Sequence, residues 1–370
     1  MTYAVYIHIP FCEKICSYCD FCKVLYNEVL VDKYLDALER EIRTVYVGEK
    51  IKTLYIGGGT PSSLNIRQLK RLFEIINIFD KECLEEFTVE ANFESTTLEK
   101  LDLFKKSGVN RLSFGLESTN KKHLEFLNRN FDVNHAKEIV KYAKDIGIDN
   151  INIDLIYALK NETIEDVKKD LDFIIGLDIK HISTYSLIIE KNTLLNVLGT
   201  KNISEDLDLE MYEFICKYLK DNGFKHYEIS NFCKDEYHSK HNTVYWKNLE
   251  YYGFGVGASS YINNKRIANT RSFNKYFSGN YILTQETVDE KDKIMYEVIL
   301  GLRLSMGINK NDFYNKFGKR LEECYNYSRL IQNGFIKDTG DNVFIPEDKF
   351  YISNEIMLEF IRGEVVWIKV

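Results

Sequence analysis

Cys12-Glu-Lys-Ile-Cys16-Ser-Tyr-Cys19 places three cysteines at the spacing C-x3-C-x2-C near the start of a chain of 370 residues. Three such thiolates can bind three irons of a [4Fe–4S] cluster and leave the fourth iron open to a small molecule. The alternatives are a structural zinc site, a disulfide pair and a chance cluster of thiols. The sequence has no matching second C-x2-C or Cys/His pair, which disfavours zinc, and no secretory signal, which disfavours a disulfide. The spacing therefore favours an open iron–sulfur cluster on Cys12, Cys16 and Cys19.

The composition is that of a globular protein with one large domain and a smaller one. Hydrophobic residues make up 45% of the chain, yet no apolar run is long enough to span a membrane. The formal net charge of −7 disfavours general nucleic-acid binding, which rests on clustered Lys and Arg. Eight cysteines without an export signal indicate a reducing compartment, so we expect a cytoplasmic protein.

Alternating strand and helix patterns indicate an α/β fold. A parallel sheet covered by helices follows from this alternation, and six units predict an open, three-quarter (β/α)6 barrel over residues 1–225. The predicted strands are Val5–Ile9, Thr53–Ile56, Phe87–Ala91, Arg111–Leu116, Ile151–Ile156 and Ile182–Leu187. The predicted helices are Val31–Tyr46, Ile66–Phe79, Leu98–Lys106, Val133–Ile146, Ile164–Leu177 and Asp206–Asn222.

The rest of the chain has a different pattern. Residues 226–288 are rich in aromatic residues and Asn, and we interpret them as an irregular segment that closes the barrel. Residues 289–370 predict helices followed by a small hairpin, which is typical of a winged-helix-like domain. This C-terminal domain has no basic stripe, so we expect a lid or a partner surface rather than a DNA-binding element.

Polar groups at the predicted strand ends indicate a cofactor cleft. The second strand runs into Gly57-Gly58-Gly59-Thr60-Pro61, where glycines let a ligand approach the backbone. Glu90 ends the third strand, Glu117 ends the fourth, Arg129 follows it, and Asp154 lies in the fifth. Ligands of such sheets bind at the carboxyl ends of the strands, where we expect these side chains to form a rim. Structural salt bridges are the alternative for each charged residue.

Several motifs spread over nearly the whole chain are similar to those of one family. They are Tyr6-Ile-His8-Ile-Pro-Phe11-Cys12, Cys19-Asp20-Phe21, Gly57-Gly58-Gly59-Thr60-Pro61, Val89-Glu90-Ala-Asn, Arg111-Leu-Ser-Phe-Gly115, Leu127-Asn-Arg129, Asn152-Ile-Asp154-Leu-Ile-Tyr157, Tyr227-Glu-Ile-Ser-Asn-Phe232, Gly253-Phe-Gly255-Val-Gly257-Ala258 and Gly301-Leu-Arg303-Leu. The chain resembles the coproporphyrinogen III oxidase-like branch of the radical S-adenosylmethionine (SAM) superfamily. The resemblance implies a TIM-like partial barrel with a C-terminal helical domain, a [4Fe–4S] cluster on Cys12, Cys16 and Cys19, and bound SAM. By position, it implies a SAM cleft lined by Tyr6, Tyr18, Gly58, Gly59, Thr60, Glu90, Glu117, Arg129 and Asp154.

Two branches of this family differ in function. One contains oxygen-independent coproporphyrinogen III dehydrogenases, which decarboxylate two propionates in porphyrin biosynthesis, and the other contains HemW-type haem chaperones. The dehydrogenases carry an N-terminal extension and a further cysteine where this chain has Phe21, whereas His241-Asn-Thr-Val-Tyr245-Trp246 matches the HNxxYW motif of the chaperones. The chaperone is therefore the preferred interpretation, with the dehydrogenase, an enzyme, as the alternative. An iron–sulfur redox or sensing module is a second alternative.

The chaperone interpretation carries its own ligand and partner expectations. His241 would be an axial ligand of haem iron, with the nearby His238 as a competitor, and Tyr245 and Trp246 would contact the macrocycle. The alternative is that His241, Tyr245 and Trp246 serve ordinary packing and hydrogen bonding. Haem-accepting proteins, respiratory ones among them, are the expected partners, and a homodimer is a candidate assembly. No catalytic residue is assigned, and Cys22 has no assigned role.

Some positions depart from the pattern of the family. Glu117 replaces a usual Gln and so adds negative charge beside the expected SAM. Ala158 and Lys160 replace a Gly and a Pro after the fifth strand, and Asn130 differs as well. These departures bear on how tightly SAM is held and leave the cluster ligands intact.

Overall fold

A computed structural model describes residues 3–363, and within this range one sheet of twelve strands forms the centre of the protein. Numbered along the chain, its strands are β1 (Tyr3–Ile9), β2 (Ile51–Gly58), β3 (Glu86–Asn92), β4 (Arg111–Glu117), β5 (Asn150–Tyr157), β6 (His181–Ser186), β7 (Lys225–Glu228), β8 (Asn231–Cys233), β9 (Tyr251–Phe254), β10 (Ser259–Ile262), β11 (Lys265–Asn269) and β12 (Ile282–Thr287). Their order in the sheet is 12-11-10-9-1-2-3-4-5-6-8-7.

The first six strands form the predicted open barrel. They are parallel and pair in chain order, so that β1 contacts β2 and each strand contacts the next as far as β6. The predicted (β/α)6 fold class is therefore confirmed. Parallel pairing in this order places the carboxyl ends of all six strands at the same edge of the barrel.

Helices cover the outer face of these strands. They are Glu28–Val45, Ile66–Ile76, Leu98–Lys106, Val133–Asp145, Ile164–Gly176 and Glu205–Asp221. Each begins at a side chain that caps the helix, for example Asn65, which forms a capping box with Gln68. Gly108, Gly147 and Gly223 follow three of the helices with φ of +91°, +83° and +83°, as their sequence positions predict.

The two faces of the barrel strands differ in chemistry. In β3, Phe87 and Val89 belong to the hydrophobic core beneath the helices. Thr88 and Glu90 alternate with them, and Glu90 lines the barrel cavity. Because successive residues of a strand point to opposite faces, the barrel buries an apolar outer face and keeps a polar interior.

The prediction of an irregular segment over residues 226–288 was wrong in its secondary structure. β7 and β8 extend one edge of the barrel next to β6, while β9 pairs in parallel with β1 and carries antiparallel β10–β12 at the other edge. These strands are three to six residues long and lack a continuous apolar run, which hid them from periodicity. Helices Lys240–Trp246 and Phe273–Phe277 lie between them.

The C-terminal part contains the predicted helices and hairpin. Its helices are Glu290–Gly301, Lys310–Phe317, Leu321–Cys324, Ser328–Gln332 and Ser353–Arg362. Ile308–Asn309, Asn342–Phe344 and Lys337–Asp338 form a small antiparallel sheet in this order. Two short helices, Lys121–Phe126 and Leu194–Val197, complete the described α-helical elements. No helix in residues 3–363 combines the length and the apolarity that crossing a membrane would require.

Candidate cofactor site

The cysteine loop follows β1 directly and is closed at its base. Phe11–Cys12 pairs in parallel with Val24–Leu25, and the Tyr26 amide donates to the Cys12 carbonyl oxygen at 2.8 Å. Ser17 Oγ donates to the carbonyl oxygen of Phe126 at 2.7 Å. The loop is thus tied both to its own base and to the segment after β4, which fixes its position at the carboxyl ends of the barrel strands.

Cys12, Cys16 and Cys19 line one cavity of about 320 Å³, and all three are free thiols. Burial raises the pKa of each thiol, that of Cys16 to about 12. Within residues 3–363, no three His, Cys, Asp or Glu side chains are grouped closely enough to hold a single metal ion.

This arrangement fits an iron–sulfur cluster. In a [4Fe–4S] cluster each thiolate binds a different iron, so the sulfurs surround the cluster instead of converging on one ion. Soft thiolates also suit iron–sulfur clusters chemically. Binding would release the three thiol protons.

The glycine loop lies against the cysteine loop. A Cβ on Gly59 would lie 2.9 Å from the Phe11 backbone and 3.0 Å from Cys12 Sγ. Gly58 has a φ of +118°, and its amide donates to Glu90 Oε2 at 2.9 Å. Glycine is therefore required at both positions: a side chain on Gly59 would push the two loops apart, and Gly58 combines a positive φ with a Cβ position only 2.5 Å from the His8 ring. Thr60 Oγ1 donates to Cys12 Sγ at 3.5 Å.

Glu90 and Asp154 are half-buried residues whose carboxyl groups lie on the inner face of the barrel. Tyr55 donates its hydroxyl to Glu90 Oε1 at 2.6 Å, and Asn152 donates its amide to Asp154 Oδ1 at 2.8 Å. Burial raises the pKa of both carboxyl groups, against the lowering effect of these hydrogen bonds. Both groups line the cavity of the three thiols.

Arg129 binds two carboxylates. Its Nη1 donates to Glu117 Oε2 at 2.6 Å, and its Nε and Nη2 donate to the two oxygens of Glu94 at 2.7 and 2.8 Å. Tyr18 donates to the other oxygen of Glu117 at 3.0 Å. Burial raises the pKa of Glu117 to about 7, although the charge of Arg129 acts to lower it. One guanidinium shared by two carboxylates leaves excess negative charge beside the cavity.

Arg129 lines the cavity, but its side chain is buried. Its side chain is only 4% exposed, because the guanidinium turns inward to donate to Glu94, Glu117 and the Gly115 carbonyl oxygen. Glu94 was missed in the sequence because it lies beyond β3 and outside any recognised motif. Only the tertiary structure brings it next to Arg129.

The structure brings most of the predicted SAM-site residues to one cavity. Tyr18, Gly58, Gly59, Thr60, Glu90, Glu117, Arg129 and Asp154 line it together with the three cysteines. Tyr6 instead lines a neighbouring cavity, which shares Gly58 and Glu90 with the first. Asn92, Ser113 and Tyr185 also line the first cavity and were not predicted. The period-two alternation of polar residues in β3, β4 and β6 is the signal that could have found them.

His241 lies elsewhere and is fully engaged. It belongs to helix Lys240–Trp246, and its Nδ1 and Nε2 are hydrogen bonded to Thr53 Oγ1 at 2.8 Å and to the Tyr245 hydroxyl at 2.7 Å. The ring stacks on Tyr55 with centroids 5.0 Å apart. Burial lowers the pKa of His241 to about 3. In this arrangement neither ring nitrogen is available to an iron, and an axial role would require one of the two bonds to break.

The other two residues of the motif differ from each other. Tyr245 lines the second cavity, whose volume is about 530 Å³. Trp246 lies beneath the guanidinium of Arg303, 4.5 Å from the ring centroid, and its buried Nε1 has no hydrogen-bond partner among residues 3–363. The structure therefore does not bring His241, Tyr245 and Trp246 together on one ligand surface.

Comparison with known proteins supports the family that the motifs indicate. Residues 6–174 match the sequence model of the radical SAM superfamily, and residues 288–347 match that of the HemN C-terminal domain. The heme chaperone HemW of Lactococcus lactis is 37% identical over 98% of this chain and 98% of its own length. The heme chaperone HemW of Bacillus subtilis is also 37% identical, over 98% of this chain and 100% of its own length. The chain belongs to the HemW family of the radical SAM superfamily.

A solved structure shows the same fold. Coproporphyrinogen III oxidase (HemN) from Escherichia coli matches with a TM-score of 0.85 over 96% of this chain and 89% of that one, at 23% sequence identity. Radical SAM proteins use a [4Fe–4S] cluster and SAM, and the free thiols and the polar cavity of this HemW-family chain fit that pair of cofactors.

Proposed function

We propose that this protein is a radical SAM-type haem chaperone, which binds a [4Fe–4S] cluster, SAM and haem and delivers haem to acceptor proteins. The observation that carries the proposal is the full-length similarity to heme chaperones HemW, together with a cavity lined by all three cysteines of the motif. The coproporphyrinogen III dehydrogenase shares the fold, and a shared fold alone does not assign its reaction.

The cluster would be held by Cys12, Cys16 and Cys19. The cavity beside these thiols would hold SAM, which carries a sulfonium cation and an amino group. Four acidic side chains surround this region, namely Glu90, Glu94, Glu117 and Asp154, while Arg129 is bonded to two of them. Such an acidic wall suits a cationic ligand, and the main-chain groups of Gly58 and Gly59 suit an amino-acid moiety.

When bound, the reduced cluster can supply an electron to SAM. This chain's own residues position the ligand: Gly59 and Thr60 hold the floor of the cavity against Cys12, while Tyr18 and Arg129 hold the Glu117 carboxylate in place. The nine predicted SAM residues keep this role as part of the proposal, with Tyr6 at the wall towards the second cavity.

An anaerobic assay of the reconstituted protein tests the function. It combines SAM, a reductant and coproporphyrinogen III, and a haem titration runs beside it. We expect haem to bind and coproporphyrinogen to persist. SAM-dependent decarboxylation of coproporphyrinogen would assign the dehydrogenase function instead. Binding of neither haem nor SAM would leave the iron–sulfur redox or sensing module.

The finer features belong to the same proposal. We propose respiratory haem proteins among the acceptors, a homodimeric assembly and a cytoplasmic location, in which eight cysteines stay reduced. The net charge of −7 supports partners other than nucleic acid. The division into a barrel (1–225), a barrel-closing segment (226–288) and a C-terminal winged-helix-like domain (289–370) is supported by the family match over residues 288–347.

A further inference from the structure

The second cavity lies between β1 and strands β9–β12. It is next to the cavity lined by Cys12, Cys16 and Cys19, called the cluster cavity from here on. Its volume of about 530 Å³ is in the range of small-molecule sites, roughly 300–1,000 Å³. It is lined by Tyr6 and His8 of β1, by Tyr251 of β9 and by Leu283 of β12. Phe21, Gly58 and Glu90 line both cavities, and Tyr6 is the one expected SAM residue that lines the second cavity alone, so the two cavities are neighbours with a shared wall.

Its walls suit a flat, largely apolar ligand. Tyr6, Tyr245 and Tyr251 supply aromatic surface, and burial raises the pKa of all three phenols, which therefore stay neutral. Phe21 and Leu283 also line the cavity and are 64% and 55% exposed. Exposed apolar side chains beside a cavity indicate a binding surface for an apolar partner.

The cavity also contains a free thiol, Cys22. His8 Nε2 donates to the carbonyl oxygen of Cys22 at 2.7 Å, and His8 Nδ1 accepts from Tyr6 at 2.9 Å. A Cβ on Gly257 would lie 2.7 Å from Cys22 Cβ, so the cysteine packs directly against that glycine. The thiol is thereby held at a defined place, while both nitrogens of the neighbouring imidazole are occupied.

A cation lies beside the thiol. Arg271 lines the cavity, is exposed, and donates from Nη2 to the main-chain oxygen of Asp20 at 3.0 Å. A guanidinium in this position can form a charge-assisted, bidentate pair with a carboxylate of a ligand. An aromatic slot with a thiol and a guanidinium matches a planar macrocycle that carries an iron and carboxylates.

We propose that haem binds in this second cavity, with Cys22 Sγ as an iron ligand and Arg271 paired with a propionate. The inference rests on the proposed haem-chaperone function and deepens it by assigning the site. Coordination forms one iron–sulfur bond, and the thiol proton passes to solvent. In this arrangement Tyr245 is the residue of the HNxxYW motif that lines the haem site. His241 holds Tyr245 in place through the hydrogen bond to its hydroxyl.

A titration with ferric haem, followed by absorption and electron paramagnetic resonance, tests the ligand. The wild type should show a thiolate-ligated spectrum. Cys22→Ser should lose that signature and bind haem at least about tenfold more weakly, as expected on loss of a strong ligand. Cys83→Ser, which removes a thiol outside the cavity, should behave as the wild type. An unchanged spectrum in Cys22→Ser would overturn the ligand assignment, whatever the affinity.

Two further variants test the cavity independently of the sulfur. Ser259 lines the cavity and is exposed, so Ser259→Trp should fill the space without disturbing the core and should abolish haem binding. Gln285→Trp on the exposed strand β12 is the matched control and should bind haem normally. Arg271→Gln should weaken binding about tenfold, as expected for loss of a charge-assisted bond.

The outcomes separate the site from the function. A wild type that binds no haem would overturn the proposed function and this inference with it. If Ser259→Trp binds haem as tightly as the wild type, the proposed haem site is wrong and the proposed function stands. Loss of binding in Ser259→Trp with normal binding in Gln285→Trp would support both.

Discussion

The cysteine loop and the helix Lys240–Trp246 both carry residues that can bind iron, and the structure treats them in opposite ways. Cys12, Cys16 and Cys19 are free thiols on an open cavity. His241 is buried, with a hydrogen bond on each ring nitrogen. Both segments belong to family motifs, yet only the first presents its donor atoms to a space that a cofactor could fill. The availability of the donor atom, more than the motif, therefore decides which residue can be a ligand.

The two segments also differ in how they are held. The cysteine loop is fixed mainly through its main chain, by pairing of Phe11–Cys12 with Val24–Leu25, and the one side-chain contact described above to a cluster thiol is the long Thr60–Cys12 hydrogen bond of 3.5 Å. The helix is fixed through its side chains, among them His241 bonded to Thr53 and Tyr245. A ligand can enter the first arrangement at the expense of one long hydrogen bond at most, whereas binding to His241 requires the loss of a short one.

Replacement of a cluster thiol should have the largest effect. Cys12→Ala removes one of three iron ligands, so we expect complete loss of the cluster after anaerobic reconstitution, measured by iron and sulfide content and by visible absorption. Cys22→Ala is the matched control and should keep full iron content, since Cys22 does not line the cluster cavity. Full iron content in Cys12→Ala would contradict the assignment of Cys12 as a cluster ligand.

Arg129 is the residue of the cluster cavity that most resembles His241 in being fully engaged. Arg129→Ala leaves the carboxylates of Glu94 and Glu117 without their cation, and breaking a buried pair in this way costs about 3–5 kcal/mol. Urea unfolding measures the loss. Arg67→Ala, which removes exposed ion pairs with Glu28 and Asp32, should cost less than about 1 kcal/mol. Equal costs for the two variants would mean that Arg129 is not buried as described.

His241→Ala tests the other side of the comparison. Its loss should lower the free energy of unfolding by about 2–4 kcal/mol, because Thr53 and Tyr245 lose their partner and a cavity opens beside Tyr55. His135→Ala is the control at a histidine whose side chain is 40% exposed, and it should have little effect. The variant should keep the wild-type haem spectrum. A shifted spectrum with unchanged stability would identify His241 as the iron ligand after all.

The last expected effect concerns the pH dependence of stability and comes from Glu117, which lies in the same buried pair as Arg129. The pKa of Glu117 is raised by burial to about 7 from an ordinary 4.5, and the groups that act on it are Arg129, Glu94, Asp154 and Tyr18. A raised carboxyl pKa favours the protonated folded state, so its stabilising contribution is full below pH 4.5 and is lost as the pH rises through 7.

Glu117→Gln cannot titrate and should lack this decline, which we expect to be about 3 kcal/mol. Urea unfolding of both proteins from pH 4.5 to pH 8 measures it, and parallel stability profiles would contradict the raised pKa. His241→Ala should differ from the wild type in the opposite sense: burial lowers the pKa of His241 from 6.5 to about 3, so only the wild type should lose stability as the pH falls below 6.5 and the unfolded imidazole takes up a proton.

Much of the fold is predictable because its determinants are local. The helix Leu98–Lys106 was predicted with its observed bounds, and each of the six barrel strands lies at its predicted position to within three residues at either end, with one face apolar. Periodicity, capping residues and Gly after helices act within a few residues of the chain, so they can be read without the tertiary structure. The short strands β7–β12 were missed because their stability comes from pairing at the sheet edges instead of from their own pattern.

The sequence by itself determined the (β/α)6 barrel, the cysteine loop and the glycine loop, since each depends on spacing and local conformation. Only the tertiary structure decided which donor atoms are free. His241 meets Thr53 across 188 residues, and Arg129 meets Glu94 across 35, through side-chain contacts that no local pattern encodes. Hydrogen bonds between distant residues depend on how the elements pack, and this packing leaves the three thiols open to a cofactor while it occupies the imidazole.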